Sequence, residues 1–273
     1  MSGEDAFRDL LGYLQLQPDG ADHFAATTRP MSTGRLFGGL IAAQALVAAG
    51  HTVHDMTLHS LHAYFLRPGT AGRDVEYIVE RIKEGKNFKV RDISAMQDGQ
   101  HIFSMQCSYT RLETGISHQE PMRQTPSFSP DMEPRDEADH PMNPDAFELR
   151  CIDGHPRRDP GPPSLRYWCR LNGEAPGDSG LKAALLVYLS DRCLLSTGRR
   201  PHVPTIDLDR GASLDHAAWL HREPNFDDWL MYETDSHVAQ AGRPLITGKL
   251  YQSDGTLIAT LVQEGLIRPR RPR

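Results

Sequence analysis

The sequence of 273 residues lacks several features that mark specialised classes of protein. No apolar stretch approaches the roughly 18 residues of a membrane-spanning helix, so a membrane span is not predicted. The formal net charge is −6, which disfavours a nucleic-acid-binding protein because phosphate contacts require a basic surface. Aromatic residues make up only 7%, but a hydrophobic share of 38% is typical of a globular protein with a sizeable core.

Cysteine is also scarce, and its spacing fits neither a zinc site nor a redox motif. The four cysteines are Cys107, Cys151, Cys169 and Cys193. The acidic start, Met1 to Asp5, lacks the apolar segment of a secretory signal. We therefore expect a cytoplasmic protein without disulfides. A basic run at the other end is interpreted as a solvated tail and comprises Arg268, Arg270, Arg271 and Arg273.

Proline is concentrated in one segment of the chain. Ten of the 20 prolines lie between Pro121 and Pro163. Because proline lacks an amide donor and restricts the residue before it, little regular structure is expected there. The segment predicts a linker over residues 114–163, between a first domain over residues 1–113 and a second domain over residues 164–273.

Each predicted domain contains one Ala-rich, apolar helix followed by strands. The helices are predicted over Leu40–Ala49 and Leu181–Leu195. Strands of the first half are predicted over Arg73–Lys83, Phe88–Met96 and His101–Thr110. Those of the second half are predicted over Trp229–Val238, Leu245–Gln252 and Thr256–Ile267. The tight turns between them are Asp98-Gly99, Ala241-Gly242 and Asp254-Gly255.

The order of these elements indicates an internal duplication. Asp98-Gly99 matches Asp254-Gly255 at an offset of 156 residues, and the segment starting at His62 matches the one starting at His216 at an offset of 154. A helix that is apolar on all sides belongs in a core. We therefore predict an α+β fold in which two antiparallel sheets each curl around a central helix.

Several common catalytic motifs are missing from the sequence. It contains no G-x-G-x-x-G, no G-x-S-x-G and no H-E-x-x-H, so a dinucleotide site, a serine hydrolase and a zinc protease are not supported. His59 and His62 stand three positions apart on a predicted strand, where they face opposite ways and cannot share a metal. No metal and no cofactor are predicted.

Three segments of the sequence resemble the type II acyl-CoA thioesterases. They are Arg35-Leu36-Phe37-Gly38-Gly39 with Gln44-Ala45-Leu46, the segment from His59 to Gly69, and Val262-Gln263-Glu264-Gly265. The resemblance covers nearly the whole chain except the Pro-rich linker. It implies a double hotdog fold, an acyl-CoA substrate, and a homodimer or homotetramer.

The same resemblance implies three catalytic residues, all in the second half: Asp191, Ser213 and Gln263. A carboxylate can deprotonate a water for attack on a thioester, and a hydroxyl and an amide can orient that water. Each residue also has a purely structural interpretation. Asp191 would then be a solvated carboxylate at a helix end, Ser213 a small strand residue, and Gln263 a polar position on a sheet face.

Other residues are candidates for the same site. Asp215 is a rival carboxylate, because it shares a strand face with Ser213 if the strand is regular. His59 is the first-half counterpart of Ser213 and a candidate for substrate binding, while Cys107 is the counterpart of Gln263. The first half therefore has the scaffold without the same three side chains.

The two glycines at the start of the first helix have two interpretations. Gly38 and Gly39 either contact substrate or allow close packing of the backbone. Leu40 follows them where the family commonly has Gln. If that Gln binds or polarises the substrate, we expect activity or acyl preference to differ in this protein. Two alternatives to hydrolysis also remain at this point: a hotdog-fold enoyl-CoA hydratase and a non-catalytic protein that binds acyl-CoA.

Overall fold

The computed structural model describes residues 2–136 and 145–270. Part of the predicted linker, residues 137–144, and Arg271 and Arg273 of the basic tail lie outside the described residues. The helices are α1 (Gly3–Tyr13), α2 (Gly38–Gly50), α3 (Ser179–Ser190) and α4 (Leu194–Arg199), followed by a 3-10 turn over Arg200–His202. No helix in these two stretches is both long enough and apolar enough to cross a bilayer.

The strands of the first half are β1 (Gln17–Pro18), β2 (His23–Ala26), β3 (Thr57–Phe65), β4 (Val75–Glu84), β5 (Phe88–Gln97) and β6 (Gln100–Thr110). Those that follow are β7 (Phe147–Cys151), β8 (Ser164–Leu171), β9 (Ile206–Ser213), β10 (Asp215–Leu220), β11 (Leu230–Gln240), β12 (Arg243–Gln252) and β13 (Leu257–Pro269). All pairings among these strands are antiparallel.

The strand order of the sheet is nearly the same from either end. It runs β1-β2-β4-β5-β6-β3-β10-β13-β12-β11-β8-β7, with β9 paired to β13 off this path. Counting from each outer edge, β2 corresponds to β8, β4 to β11, β5 to β12, β6 to β13 and β3 to β10. The helices α2 and α3 follow the corresponding strands β2 and β8 in the chain. The two halves therefore share one topology.

The junction of the halves has two-fold geometry. Strands β3 and β10 pair antiparallel, with His62 opposite Ala217 and Ala63 opposite His216. Ala63 pairs with Met105 as Ala218 pairs with Leu261, and Met105 matches Leu261 at the offset of 156. Counterparts along β3 and β10 therefore lie 155 residues apart, not the predicted 154. His62 then pairs with its own counterpart, Ala217, which places the two-fold axis at this pair.

Helices α2 and α3 lie in the core and pack against each other. Ten of the 13 residues of α2 and eight of the 12 residues of α3 are buried. The alanines of α2 allow the sheet to approach closely. Its one long polar side chain, Gln44, is buried but satisfied: its amide nitrogen donates to the carbonyls of Tyr13 and Thr27, and its amide oxygen accepts from Tyr77 Oη at 2.7 Å.

The predicted hairpin turns are confirmed. Asp98 and Gly99 both have positive φ, 51° and 73°, and so do Ala241 and Gly242, 51° and 76°. Two successive residues with positive φ define the tight turn whose twist matches that of the flanking strands. Glycine adopts this conformation without steric strain.

The second central helix is shorter than its predicted span of Leu181–Leu195. It ends at Ser190, where the hydroxyl of Ser190 donates to the Val187 carbonyl at 2.7 Å. The amides of Asp191 and Arg192 both donate to the Leu189 carbonyl, which tightens the last turn. Apolar periodicity continues into α4, so the sequence alone did not reveal the break.

The expectation of little regular structure in the Pro-rich segment is wrong at one place. Strand β7, within that segment, pairs with β8 through contacts such as Leu149 opposite Cys169. No proline occurs between Pro144 and Pro156. Every residue of β7 therefore retains its amide hydrogen, and the strand extends the sheet at its outer edge.

Candidate active site

Three side chains from distant parts of the sequence meet beside the end of α3. Gln263 Nε2 lies 2.6 Å from Asp191 Oδ1 and 3.0 Å from Ser213 Oγ. The Ser213 hydroxyl donates to the same carboxylate oxygen at 3.2 Å. The structure thus brings together the three residues that the sequence resemblance singled out.

The local fold explains how each side chain reaches this point. Asp191 caps the carboxyl end of α3. Gln263 lies on the inner face of β13, where alternate residues are buried. Ser213 ends β9 and pairs with Gly265, two residues beyond Gln263 on the adjacent strand. A helix end and two neighbouring strands therefore position one side chain each.

The amino end of α2 completes the site. A Cβ added to Gly38 would lie 2.7 Å from Asp191 Oδ2, and one added to Gly39 would lie 2.7 Å from the Tyr188 carbonyl oxygen. The Gly39 amide also hydrogen-bonds to the Asp191 carboxylate. Position 39 requires glycine because the two helices approach closely there. The absence of a side chain at Gly38 leaves space directly beside the Asp191 carboxylate.

The environment makes Asp191 a stronger base than an ordinary aspartate. Burial raises the pKa of its carboxyl to about 6, although hydrogen bonds from Gln263, Ser213 and the Gly39 amide lower it. The carboxyl is still mostly ionised at pH 7. A base whose pKa lies close to the working pH accepts protons more readily than one near 3.8, the ordinary value.

Two buried residues, His216 and Ser190, support this arrangement on the side of Gln263 away from Asp191, although no role for either was predicted from the sequence. His216 Nε2 lies 2.8 Å from Ser190 Oγ, and its Nδ1 lies 3.4 Å from Gln263 Nε2. Because the Ser190 hydroxyl donates to the Val187 carbonyl, it accepts from the imidazole Nε2–H. Nδ1 is then left as an acceptor for Gln263, which directs the amide nitrogen toward Asp191.

The charge state of His216 suits this orienting contact. Burial lowers the pKa of His216 to about 4, so the ring is neutral at pH 7 and keeps one acceptor nitrogen. The only sequence signal for it was a polar residue between apolar positions of a strand. The amide oxygen of Gln263 is buried and has no hydrogen-bond partner among the described residues. It is therefore available to a group entering the site.

A buried ion pair fixes the chain just beyond Asp191. Arg192 Nε lies 2.7 Å from Asp145 Oδ2, and the Tyr188 hydroxyl donates to Asp145 Oδ1 at 2.6 Å. Both side chains of the ion pair are about 2% exposed. Removing one partner of such a pair leaves an uncompensated buried charge, so this contact restrains the end of α3.

The rival carboxylate Asp215 has a different contact. The chain breaks its strand between Ser213 and Asp215, and Asp215 Oδ1 accepts from the Glu264 amide at 2.6 Å. Burial raises the pKa of Asp215, but none of its hydrogen bonds in the described structure joins the group around Asp191. Its contact is with the backbone of β13.

The candidates of the first half lie elsewhere. His59 hydrogen-bonds to Ser108 Oγ at 2.8 Å and, together with Gly50, lines a cavity at the carboxyl end of α2. Cys107 is buried, and burial raises the pKa of its thiol to about 12. No group of three His, Cys, Asp or Glu residues suited to a metal occurs within residues 2–136 and 145–270.

Comparison with protein families assigns both halves of the chain. Residues 27–110 match the model of an acyl-CoA thioesterase N-terminal domain, and residues 122–267 match that of an acyl-CoA thioesterase C-terminal domain. The chain belongs to the acyl-CoA thioesterase family. The resemblance carried by the three sequence motifs is therefore confirmed.

Individual members of the acyl-CoA thioesterase family are similar along most of their length. Acyl-coenzyme A thioesterase 8 of Mus musculus is 36% identical over 86% of this chain and 80% of its own. Acyl-CoA thioesterase 2 of Haemophilus influenzae is 33% identical over 97% of this chain and 98% of its own.

Solved structures agree with this family assignment. The acyl-CoA thioesterase II TesB2 of Mycobacterium marinum has a TM-score of 0.82 at 32% identity, covering 96% of this chain and 98% of its own. A conserved protein with a hotdog fold from Alicyclobacillus acidocaldarius also has a TM-score of 0.82, at 18% identity, over 97% of this chain and 99% of its own. The thioesterase described here has the hotdog fold.

Proposed function

We propose that the protein hydrolyses fatty acyl-CoA to a free fatty acid and CoA. The observation that carries the proposal is the contact of Gln263 and Ser213 with the Asp191 carboxylate, whose pKa is raised to about 6. The similar protein of Haemophilus influenzae is named an acyl-CoA thioesterase, which supports the same reaction. We assign the attack to water, with the Ser213 hydroxyl, which donates to Asp191, as one of the groups that orient that water.

The reaction follows from the chemistry of the groups. The ionised Asp191 accepts a proton from water as the water oxygen bonds to the thioester carbonyl carbon. Ser213 and Gln263 hold that water in the geometry of attack. The tetrahedral intermediate then collapses, the carbon–sulfur bond breaks, and the departing CoA sulfur receives the proton from Asp191. One water and one thioester become one carboxylic acid and one thiol.

The amino end of α2 is the proposed site of charge stabilisation. Helix amino termini carry a partial positive charge and unpaired amide donors. Gly38 and Gly39 lie there, beside Asp191. A carbonyl oxygen that becomes negative in the transition state is stabilised by such donors when they are already in place.

Leu40 follows the two glycines of the proposed site. Its side chain is buried and, with Phe37 and Tyr188, lines a gap of about 10 Å³ closed by Leu10 of α1. A gap of this size holds no more than one water molecule, so we assign Leu40 to packing between α1, α2 and α3 rather than to contact with the acyl chain.

We also propose that the chain is a double hotdog, with domains over residues 1–113 and 164–273 joined by residues 114–163. The mirrored strand order and the two-fold pairing of β3 with β10 support this division. In this scheme only the second domain supplies the proposed catalytic side chains, although the first supplies the amino end of α2.

The cellular setting is part of the proposal. All four cysteines are buried free thiols, which suits a reducing compartment, and we place the enzyme in the cytoplasm. A homodimer or homotetramer is proposed because large apolar side chains, among them Tyr64 and Val238, are more than half exposed on the sheet.

The proposed reaction is tested by thiol release from acyl-CoA substrates of increasing chain length, without added metal. We expect release of one thiol per acyl-CoA consumed by the wild-type protein and its loss in Asp191→Asn. Hydration of an enoyl-CoA without thiol release would instead identify a hydratase. Binding of acyl-CoA without turnover would identify a non-catalytic protein, and either result would overturn the proposal.

A further inference from the structure

A large cavity lies at the opposite end of the two central helices from Asp191. Its volume is about 1110 Å³, and it is lined by the carboxyl end of α2, the amino end of α3 and the start of β3. An α-helix rises about 1.5 Å per residue, so the 13 residues of α2 place this cavity roughly 20 Å from the Asp191 site. The cavity is therefore separate from the proposed catalytic centre.

The two-fold relation between the halves makes this cavity the counterpart of the Asp191 site. At the Asp191 site, the start of α2 meets the end of α3. At the cavity, the start of α3 meets the end of α2. Asp191 caps α3, whereas His51 caps α2. Leu58 stands at the position that corresponds to Ser213, since Leu58 pairs with Tyr109, two residues after Cys107, as Ser213 pairs with Gly265, two residues after Gln263. The predicted correspondence of His59 with Ser213 is therefore wrong by one residue.

The cavity occupies the position equivalent to the Asp191 site but lacks the side chains proposed for hydrolysis. Cys107, the counterpart of Gln263, is a buried thiol. Asp178, a carboxylate on the wall, is already engaged because it accepts from the Leu181 amide at 2.7 Å. Glu223, a second wall carboxylate, accepts from Lys182 Nζ at 2.6 Å. The geometry fits binding rather than turnover.

The walls indicate the chemistry of the occupant. Apolar side chains from three elements, including Leu46, Leu58 and Leu181, line the interior. Ligand pockets usually measure about 300–1,000 Å³, so a cavity of about 1110 Å³ has room for a long aliphatic chain. Burial of such a chain contributes about 0.8 kcal/mol per methylene group.

The polar part of the wall favours an anionic head group. Four histidines reach the cavity, namely His51, His54, His59 and His221. Arg222 lies on the loop after β10 and is the one arginine of the cavity wall described here; its Nη1 donates to the Leu257 carbonyl at 2.7 Å. Asp55 is the remaining acidic side chain, since the other two carboxylates already have partners. The N–H groups of Arg222 that do not contact Leu257 match a carboxylate at the mouth.

We propose that this cavity is a second, non-hydrolytic site that binds a long-chain fatty acid, with the carboxylate at Arg222 and the chain against the end of α2. The inference rests on the cavity and its walls and stands apart from the proposed hydrolysis. The test uses a palmitate analogue that carries a photoreactive diazirine, with labelled peptides located by mass spectrometry.

Gly50 offers a variant that fills the cavity without disturbing the fold. A Cβ added there meets nothing within 4 Å, because the glycine lies at the end of α2 and faces open space. Gly50→Leu places an isobutyl group in the cavity and improves helix propensity. Gly12→Leu is the matched control, since Gly12 is also helical and open and is not one of the residues that line the cavity.

We expect the wild-type protein to be labelled between residues 46 and 59. Gly50→Leu should reduce that labelling at least tenfold, and Gly12→Leu should leave it unchanged. Arg222→Gln should raise the concentration for half-maximal labelling several-fold. Thiol release, measured on the same variants, should not change, which separates this inference from the proposed reaction.

Three results would overturn the inference. One is labelling confined to peptides around Gly38 and Asp191; another is labelling that Gly50→Leu does not reduce. The third concerns the head group: equal labelling by the methyl ester of the probe, or competition by a CoA thioether but not by palmitate, would show that a fatty acid is not the occupant.

Discussion

Gln263 Nε2 donates to Asp191 Oδ1 at 2.6 Å, although 72 positions of sequence separate the two residues. The contact joins the inner face of β13 to the end of α3. It stabilises the ionised carboxylate, while burial in the same place favours the protonated form. The balance leaves Asp191 with a pKa of about 6, which suits a general base.

Replacing Asp191 by Asn should abolish most of the activity. The substitution nearly preserves shape but removes the proposed base, and a positioned acid–base group contributes roughly 10²–10⁴-fold to kcat. Asp215→Asn is the matched control and should keep kcat within about twofold, because Asp215 contacts the Glu264 backbone instead. Steady-state thiol release measures both. The reverse pattern would assign the base to Asp215.

Ser213→Ala and Gln263→Ala test whether the three groups act together. Each single variant should lower kcat, but adding either change to Asp191→Asn should cost little more, because residues that act as a unit are not additive. His59→Ala should keep kcat close to that of the wild type. Loss of turnover in His59→Ala with an active Asp191→Asn would place the site in the first half.

The pH dependence of kcat/KM should report the titration of Asp191. Below its pKa of about 6 the carboxyl is protonated and cannot accept a proton, so the rate should fall about tenfold per pH unit. Above about pH 6, where Asp191 is ionised, kcat/KM should no longer rise with pH. A profile with its midpoint near the ordinary aspartate value of 3.8 would contradict the raised pKa.

The same raised pKa predicts that Asp191→Asn stabilises the fold at neutral pH. The unfolded chain releases this proton near the ordinary value of 3.8, whereas the folded chain retains it up to about pH 6. The free energy of unfolding therefore falls as pH rises between these two values, and the loss is complete above them. Allowing for partial solvent exposure, we expect Asp191→Asn to be more stable by about 1–2 kcal/mol at pH 7.

Urea unfolding at pH 7 and pH 3.5 measures this difference. At pH 3.5 the carboxyl is protonated in the folded chain and mostly protonated in the unfolded chain, so most of the advantage of the variant should disappear. An advantage of equal size at both pH values would show that the effect comes from packing rather than from charge.

Gly39 should be far less tolerant of a methyl group than Gly12. The Cβ of alanine at position 39 would lie 2.7 Å from the Tyr188 carbonyl oxygen, a backbone atom that cannot move away without shifting α3. We expect Gly39→Ala to destabilise the protein by about 1–3 kcal/mol. Gly12→Ala meets no atom within 4 Å and should be neutral or stabilising. Thermal unfolding of both variants compares them.

Assembly should be visible in solution. The exposed apolar side chains on the outer face of the sheet, such as Ile82 at 50% and Phe88 at 45% exposure, need a covering surface. Light scattering at micromolar concentration should give a mass of two or four chains. A single species of 30.5 kDa would contradict this.

Local features of the fold could be read from the sequence. Asp98-Gly99 predicts a tight turn because glycine tolerates the positive φ that the turn requires, and alternating side chains mark the strands on either side. Apolar residues on every face likewise marked α2 as a core helix. These signals lie within a few residues of one another, so no knowledge of packing is needed.

The Asp191 site illustrates what the tertiary structure decides. The sequence motifs pointed to Asp191, Ser213 and Gln263, but their contacts depend on how β9, β13 and the end of α3 come together. His216 had no assigned role, because its partners Ser190 and Gln263 lie on other elements. The shifted pKa values follow from burial, which is a property of the packed chain.

The sequence by itself therefore determined the turns, the core helix of the first half and the family, since these depend on neighbouring residues and short motifs. Only the tertiary structure decided that α3 ends at Ser190, that β7 forms within the Pro-rich segment, and that the cavity beside Gly50 lies apart from Asp191. Each of these depends on contacts between residues far apart in the chain. Such contacts form only when the halves pack together, so local periodicity does not encode them.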